Sequence, residues 1–282
     1  MRTRGRTANL LRNRRNPSPQ LLYDRKGVAD GIFHAHTVLS SLRTNCTQAG
    51  EVTFLPLYWK HMGWPKQLVL VRHAESEGNV RSSDERAQWN IATHGYRLTE
   101  RGRKQAAITG EYLHKHYGNF DTYYVSHYER SRETMRIMYP AARVYEDPRI
   151  AEAERGIWHT MTQEQIRTAF PGELERKERE GIYHYRPLGG ENWPDVELRI
   201  HSFLSTLSRD REGKKVLIVV HGNWLILLQR LIHHFSIEDA VEKYRTSVFE
   251  NASVTVYHGT RSKTQSRLEL VEENLVPWKD RL

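Results

Sequence analysis

The chain has 282 residues, with 43 Lys and Arg against 34 Asp and Glu, which gives a formal net charge of +9. Its 38% hydrophobic and 27% charged residues are typical of a globular protein and exclude a disordered or collagen-like chain. No apolar run approaches the ~20 residues that a membrane-spanning helix requires. The single cysteine, Cys46, excludes an intramolecular disulfide and a zinc site built on thiolates.

The positive charge is concentrated in residues 1–61, which hold ten Lys and Arg but three acidic residues. We predict that this segment is a basic, mostly irregular extension, because it shows no sustained period of a helix or a strand. Three interpretations stay open: a solvated tail, a targeting peptide such as a mitochondrial one, or sequence that precedes a start at Met62. The rest of the chain is nearly neutral, so nucleic acid is not expected as a partner. A cytoplasmic location is expected.

The hydrophobic pattern predicts one domain over residues 62–260, followed by a C-terminal tail over 261–282. Strands are predicted at 67–72, 122–126, 143–146, 216–220 and 253–257, and helices at 98–117, 129–138, 163–170, 173–180, 195–209 and 222–234. Thr99 is the expected N-cap of the first of these helices, and the last strand is expected at a sheet edge. Strands that alternate with helices predict an α/β fold, a three-layer α/β/α sandwich around a mostly parallel sheet.

A pair of residues that contains a histidine lies at the carboxyl end of each of the three strongest predicted strands. These pairs are Arg72-His73, Ser126-His127 and His221-Gly222. In a parallel sheet, ligands bind beyond the carboxyl ends of the strands. We therefore expect cationic and imidazole groups to converge at one rim of the sheet. Taken singly, an Arg or a His at a strand end is usually a solvated or capping residue.

The segment Arg72–Asn79 (RHAESEGN) resembles the Arg-His-Gly signature of the histidine phosphatase (phosphoglycerate mutase-like) superfamily, with Ala74 in the usual place of Gly. Further segments resemble the same family in the same order along the chain. They are Ser126–Thr134 with Arg130, Asp147–Trp158 with Glu152, Gly189–Arg199 with Glu191, and His221-Gly222. His127 and Tyr128 depart from the family's usual Pro-Leu.

The resemblance implies a metal-independent phosphatase without a cofactor, acting on a small phosphorylated metabolite such as a sugar phosphate. It implies that His73 attacks phosphorus and becomes a phosphohistidine, and that Glu152 is the proton donor. Glu154 and Glu75 are alternatives for that carboxylate. Phosphate would be bound by a set of donors at the rim, namely Arg72, Asn79, Arg130, His221 and Gly222.

Hydrolysis is favoured over mutase chemistry because Gly78-Asn79 stands where the cofactor-dependent mutases usually carry Trp-Asn. The segment with Tyr183, Tyr185 and Arg186 resembles the fructose-2,6-bisphosphatase branch, where such residues contact the non-reacting part of the substrate. The alternative is an aromatic lid in which Arg186 pairs with a nearby acid. A phosphoglycerate-mutase-type transferase, a non-catalytic module that binds phosphorylated ligands and a nucleic-acid-associated protein with a basic tail remain as other functions. The oligomeric state is not predicted.

Overall fold

A six-stranded sheet forms the centre of the fold in a computed structural model that describes residues 63–247, 249–262 and 266–282. The predicted extension over residues 1–61 lies outside the described residues. The strands are β1 (Gln67–Arg72), β2 (Thr122–Val125), β3 (Val144–Glu146), β4 (Lys215–Val220), β5 (Val254–Arg261) and β6 (Ser266–Leu275). Their order across the sheet is β3-β2-β4-β1-β5-β6. Strands β3, β2, β4 and β1 are parallel neighbours, whereas β5 is antiparallel to both β1 and β6.

Helices cover both faces of this sheet. They are α1 (Ser83–Ala87), α2 (Glu100–Tyr117), α3 (Glu129–Met138), α4 (Gln163–Ala169), α5 (Glu173–His184), α6 (Trp193–Asp210), α7 (Gly222–His233) and α8 (Ile237–Thr246). The hydroxyl of Thr99 accepts a hydrogen bond from the backbone N–H of Gly102, so Thr99 is the predicted N-cap of α2. None of the helices among the described residues is long and apolar enough to span a bilayer.

Alternate residues along the central strands pack into two separate hydrophobic layers. Leu68 and Leu70 of β1 face the helices α6 and α7, whereas Val69 and Val71 face α2 and α3. Strand β4 divides its residues in the same way, because successive side chains of a strand point to opposite faces. The predicted α/β/α sandwich with a mostly parallel sheet is therefore confirmed.

The C-terminal boundary differs from the prediction. Residues 266–275 form β6, which pairs with β5, so the prediction of a tail over 261–282 is wrong. The predicted edge position of β5 is also wrong, since β5 lies between β1 and β6. Because β6 is an edge strand, most of its residues stay partly or fully exposed and its sequence is rich in charge. Its pattern therefore lacks the apolar run of a central strand.

Candidate active site

The two predicted catalytic histidines meet at the carboxyl end of the sheet. Strands β1 and β4 are direct neighbours in parallel register, with Arg72 opposite Val220, so the next residue of each strand reaches the same rim. Those residues are His73 and His221, whose ring centroids lie 5.1 Å apart. Both side chains are buried. The topology thus joins two groups that are far apart in the sequence.

Arg130 connects the two imidazoles. It lies in the first turn of α3, which follows β2, and it is buried. Its Nε donates to Nε2 of His73 at 3.1 Å, and its Nη2 donates to Nδ1 of His221 at 3.2 Å. Its Nη1 donates to the backbone carbonyl of Thr93 at 3.0 Å. One guanidinium therefore fixes the orientation of both rings through its fork of donors.

These contacts define which ring nitrogens carry protons. Nδ1 of His73 lies 2.8 Å from the carbonyl of Ala74, an oxygen that only accepts, so Nδ1 carries the proton. Nε2 of His73 then holds a lone pair, directed at Arg130. In His221, Nδ1 accepts from Arg130, so the proton lies on Nε2 and is donated to the hydroxyl of Ser126 at 2.8 Å. Each ring therefore keeps one unprotonated nitrogen, Nε2 of His73 and Nδ1 of His221, and both of these nitrogens accept from Arg130.

Burial keeps both imidazoles neutral. It lowers the pKa of His73 well below its usual value, and the positive charges of Arg130 and Arg72 lower it further. Burial likewise lowers the pKa of His221, and Arg130 is again the strongest charged contributor. A neutral imidazole retains the lone pair that attack on phosphorus requires.

The free energy of unfolding is expected to decrease as the pH is lowered, because these two histidines stay neutral in the folded chain. Below the unfolded pKa of 6.5, the unfolded chain binds protons that the folded chain does not. Between pH 7.5 and 5.5, each histidine should lower the free energy of unfolding by about 1.4 kcal/mol. In urea unfolding, His73→Gln should lose correspondingly less free energy of unfolding over this pH interval than the wild type. A variant of the exposed His116 is the control. Equal slopes of unfolding free energy against pH for the wild type, His73→Gln and the His116 variant would contradict this expectation.

Arg72, Glu152 and Gly222 line a small cavity of about 120 Å³ beside the histidines. Nη1 of Arg72 donates to the carbonyl of Phe249. Nε of Arg72 is buried and has no hydrogen-bond partner among the described residues. Gly222 begins α7, whose first backbone N–H groups have no helical partners and favour an anion. The cavity thus combines an unpaired guanidinium N–H, a helix N-terminus and a carboxylate.

Glu152 is positioned through its own backbone and that of the residues just before it. Arg199 of α6 donates to the carbonyls of Arg149, Ala151 and Glu152 at 3.0, 2.8 and 3.2 Å. Arg199 also forms an ion pair with Glu191, with Nε and Oε1 2.8 Å apart. Negative charge on Glu152 in turn raises the pKa of Arg72 and Arg130 against the larger opposing effect of their burial. The charge of Glu152 therefore acts on both guanidiniums.

The glycine-rich segment before α6 supports the same loop. Arg155 and Gly190 form an isolated antiparallel bridge, and the backbone N–H of Glu191 donates to the carbonyl of Glu154 at 2.8 Å. At Gly156, φ is +51°, and a Cβ would lie 2.0 Å from the carbonyl oxygen of Leu188. Only glycine tolerates both conditions. The Gly189–Glu191 segment is thus a structural support for the Glu152 loop.

Asn79 lies at the entrance of the site and is exposed. Its Oδ1 accepts from the backbone N–H and from the hydroxyl of Ser76, each at 2.9 Å, and from Nδ2 of Asn251 at 3.3 Å. Asn251 in turn donates to the carbonyl of His73 at 3.0 Å. The oxygen of Asn79 is therefore held by the loop, and its amide nitrogen is the group that can donate to a ligand.

The predicted specificity residues do not come together around the site. Tyr183 is buried in the core and donates its hydroxyl to Glu197 at 2.8 Å. Arg186 forms an ion pair with Asp195, as in the alternative of a structural lid. Tyr185 alone lines the larger cleft next to the site, and its hydroxyl donates to Glu173 at 2.7 Å. The structure thus gives Tyr183 and Arg186 structural partners within the chain.

Several residues around the site had no predicted role. Ser126 accepts the proton of His221, and the hydroxyl of Thr134 accepts from the backbone N–H of Ala74 at 3.0 Å. Tyr128 packs on Arg130, whose guanidinium carbon is 4.5 Å from the ring centroid, and meets the ring of His221 edge to face. The sequence does contain a signal for Thr134, because its spacing of four residues from Arg130 places both side chains on the same face of α3.

No group of three or more His, Cys, Asp or Glu side chains within the described residues is arranged to hold a metal ion. The positive charge of the site comes instead from the guanidiniums of Arg72 and Arg130. The site residues therefore suit an anion such as a phosphate group, which arginine forks bind in a bidentate manner.

Known proteins are similar to this chain in sequence. A phosphoglycerate mutase-like protein, AT74 of Arabidopsis thaliana, is 34% identical over 159 residues, which are 52% of this chain and 48% of that protein. Phosphoserine phosphatase 1 of Hydrogenobacter thermophilus is 28% identical over 194 residues, 68% of this chain and 86% of that protein. The chain spans about half the length of the two Arabidopsis relatives that it matches.

Solved structures share the fold. The crystal structure of a putative alpha-ribazole-5'-P phosphatase from Escherichia coli superimposes with a TM-score of 0.60 at 20% identity, covering 75% of this chain and 98% of that one. Residues 68–271 match the family description of the histidine phosphatase superfamily, branch 1. That match contains β1 from Leu68 onward, β2 to β5, His73, His221 and Arg130. On this match and on the geometry of its rim, the chain belongs to the histidine phosphatase superfamily.

Proposed function

We propose that this chain hydrolyses a small phosphomonoester through a phosphohistidine on His73, without a metal ion. The observation that carries the proposal is the position of Arg130, which holds both His73 and His221 from one guanidinium. A phosphate that enters between these groups can accept the hydrogen bonds that Arg130 now gives to the rings. Nε2 of His73 would then face phosphorus with its lone pair free.

In the first step, Nε2 of His73 forms a bond to phosphorus while the ester P–O bond breaks. Glu152 gives its proton to the departing oxygen, which leaves as an alcohol. Negative charge on the equatorial oxygens is stabilised by Arg72, Arg130 and the backbone N–H groups at Gly222. Because these donors are already fixed by the fold, little reorganisation is needed as the charge develops.

In the second step, Glu152 takes a proton from a water molecule, and that water attacks the phosphohistidine. The P–N bond breaks, inorganic phosphate leaves, and His73 regains its neutral form. Glu152 can serve both steps because the proton that it takes from water restores the proton that it gave to the leaving oxygen. Asn79 is proposed to donate to the phosphate from its amide nitrogen.

Phosphatase activity is expected to persist in excess chelator, because the positive charge at the site belongs to side chains. The test measures release of inorganic phosphate from small phosphomonoesters, an aryl phosphate included, with and without EDTA. Loss of activity in EDTA and recovery with a divalent ion would contradict the proposed mechanism. Transfer of the phosphoryl group to a second alcohol, with no release of phosphate, would favour mutase chemistry instead.

A further inference from the structure

The backbone at His73 is held by two residues that lie just before β5. The N–H of Ala252 donates to the carbonyls of Arg72 and His73 at 3.0 and 3.2 Å. Nδ2 of Asn251 donates to the same carbonyl of His73 at 3.0 Å and to Oδ1 of Asn79 at 3.3 Å. One pair of neighbouring residues therefore holds both the backbone of His73 and the side chain of Asn79.

Ala252 has a backbone conformation that needs support from its surroundings. Its φ of +54° lies in the left-handed region, which a residue with a side chain seldom adopts. Such a conformation persists where surrounding contacts fix it. The hydroxyl of Thr109 on α2 donates to the carbonyl of Ala252 at 2.9 Å, and Nε1 of Trp278 donates to the carbonyl of Asn251 at 2.7 Å. The peptide group between Asn251 and Ala252 is thus bonded at both its oxygen and its N–H.

The indole of Trp278 is itself fixed by packing and by charged neighbours. Its side chain is buried in a hydrophobic cluster that also contains Ala74 and Ala252. The guanidinium carbon of Arg101, on α2, lies 5.0 Å from the centroid of the Trp278 ring, a cation–π contact. Three residues further along, Arg281 forms an ion pair with a glutamate of α2. The indole N–H is therefore held in a defined position against the Asn251 carbonyl.

These supports come from beyond the residues that the family description matches. That match covers residues 68–271, so Trp278 lies outside it, whereas Asn251 lies within it. The side chain of Asn274, also beyond the match, accepts from the backbone N–H of Glu250 at 2.8 Å. The segment before β5 is therefore braced by residues of this chain that the matched part of the family does not include.

We infer that Trp278 and Asn251 are positioning residues for the reaction at His73. Trp278 holds the Asn251 carbonyl, and Asn251 holds the carbonyl of His73, which fixes where Nε2 of His73 meets phosphorus. The Asn251 amide also occupies Oδ1 of Asn79, so the amide nitrogen of Asn79 is left to donate to the phosphate. A displacement of about 1 Å at a reacting atom can lower a rate by about a hundredfold. This inference rests on the proposed phosphatase function.

Trp278→Phe tests the indole bond, because it removes the N–H and keeps an aromatic ring in the cluster. In the full chain, kcat on a small aryl phosphate should fall by about fivefold with little change in KM. Tyr139→Phe is the matched control, since the hydroxyl of Tyr139 donates to the carbonyl of Gly118 at 2.8 Å, at the opposite end of the sheet. It should lose a comparable free energy of unfolding and keep the wild-type kcat. An equal fall in kcat in both variants, or none in Trp278→Phe, would overturn the inference.

Asn251→Ala tests whether Trp278 acts through Asn251. It removes both side-chain bonds and should lower kcat/KM by about twentyfold, with a rise in KM because Asn79 is released. In the double variant, Trp278→Phe should cost less than it does in the wild type, because the two residues act in series. Arg281→Gln breaks the ion pair of the same segment with α2 and should leave kcat/KM unchanged. Losses that simply multiply in the double variant would show separate actions and would contradict the inference.

Amide hydrogen exchange tests the same contact without activity. In Trp278→Phe, the Ala252 amide should exchange about fivefold faster relative to the Ile218 amide in the centre of the sheet, because the loss of support is local. Tyr139→Phe should leave this ratio unchanged. If the wild-type chain hydrolyses no phosphomonoester, the proposed function fails, and the exchange ratio still decides whether Trp278 holds the backbone at His73. An unchanged ratio in Trp278→Phe would overturn that role.

Discussion

Replacing His73 with alanine is expected to lower phosphatase activity by about 10³–10⁴-fold or more, because the substitution removes the only group that attacks phosphorus in the proposed mechanism. Its folding should be retained, since the β1 residues before it stay paired with β4 and β5. The rate of phosphate release from an aryl phosphate is the primary measurement. Near-ultraviolet circular dichroism checks that the side chains remain packed.

A second measurement identifies the intermediate itself. Wild-type protein quenched during turnover should carry a phosphoryl group that acid removes and base does not, as expected of a P–N bond. The exposed His116 on α2 provides a matched histidine, and His116→Ala should retain both turnover and labelling. An acid-stable phosphoenzyme, or substantial turnover by His73→Ala, would place the chemistry on another residue.

Arg130 should show the next largest effect, and two variants can separate its charge from its geometry. Arg130→Lys keeps the charge but cannot donate to both histidines and to the carbonyl of Thr93 at once. We expect kcat/KM to fall by about 10²–10³-fold in this variant. Steady-state kinetics with a small aryl phosphate measure the loss without contributions from the cleft.

Arg130→Met also removes the charge, and it should therefore shift the pH profile. The charge of Arg130 lowers the pKa of His73, so its loss raises that pKa and moves the acidic limb of kcat/KM to higher pH. Arg130→Lys keeps the positive charge, so it should shift the acidic limb of kcat/KM less than Arg130→Met does. Arg132→Met removes a neighbouring surface arginine that is paired with Glu129 and Glu146, and it should leave rate and profile unchanged. An unshifted limb in Arg130→Met would exclude His73 as the titrating group.

The sequence was sufficient to predict the layers of the fold and the residues at its rim. Apolar strands such as Val216–Val220, each followed at once by His or Arg, predict both the parallel sheet and the place where its ligands bind. The edge strand β6 could not be found in this way, because an edge strand keeps polar residues. Helix α8 is absent from the predicted helices, although the sequence contains a signal for its start, the capping box formed by Ser236 and Asp239.

The partners of Tyr183 and Lys177 could not be predicted, because they come from other elements of the fold. Tyr183 donates to Glu197, which pairs with Arg230 of another helix, and nothing within the sequence around Tyr183 indicates this buried network. Lys177 and Trp158 are likewise joined only by the packing of α5 on the 156–159 turn. Local patterns predict which residue types line a site, whereas tertiary contacts decide which of them are already satisfied.

The position of β1 in the sheet has a consequence for how the protein is made. Within the described residues, β1 pairs only with β4 and β5, and both strands belong to the last third of the chain. The proposed nucleophile, His73, is therefore synthesised well before the two strands that flank β1 within the described residues. Closing so long a segment is entropically costly and slows the last stage of folding. The first appearance of phosphohistidine in a refolding sample should accordingly coincide with completion of the sheet.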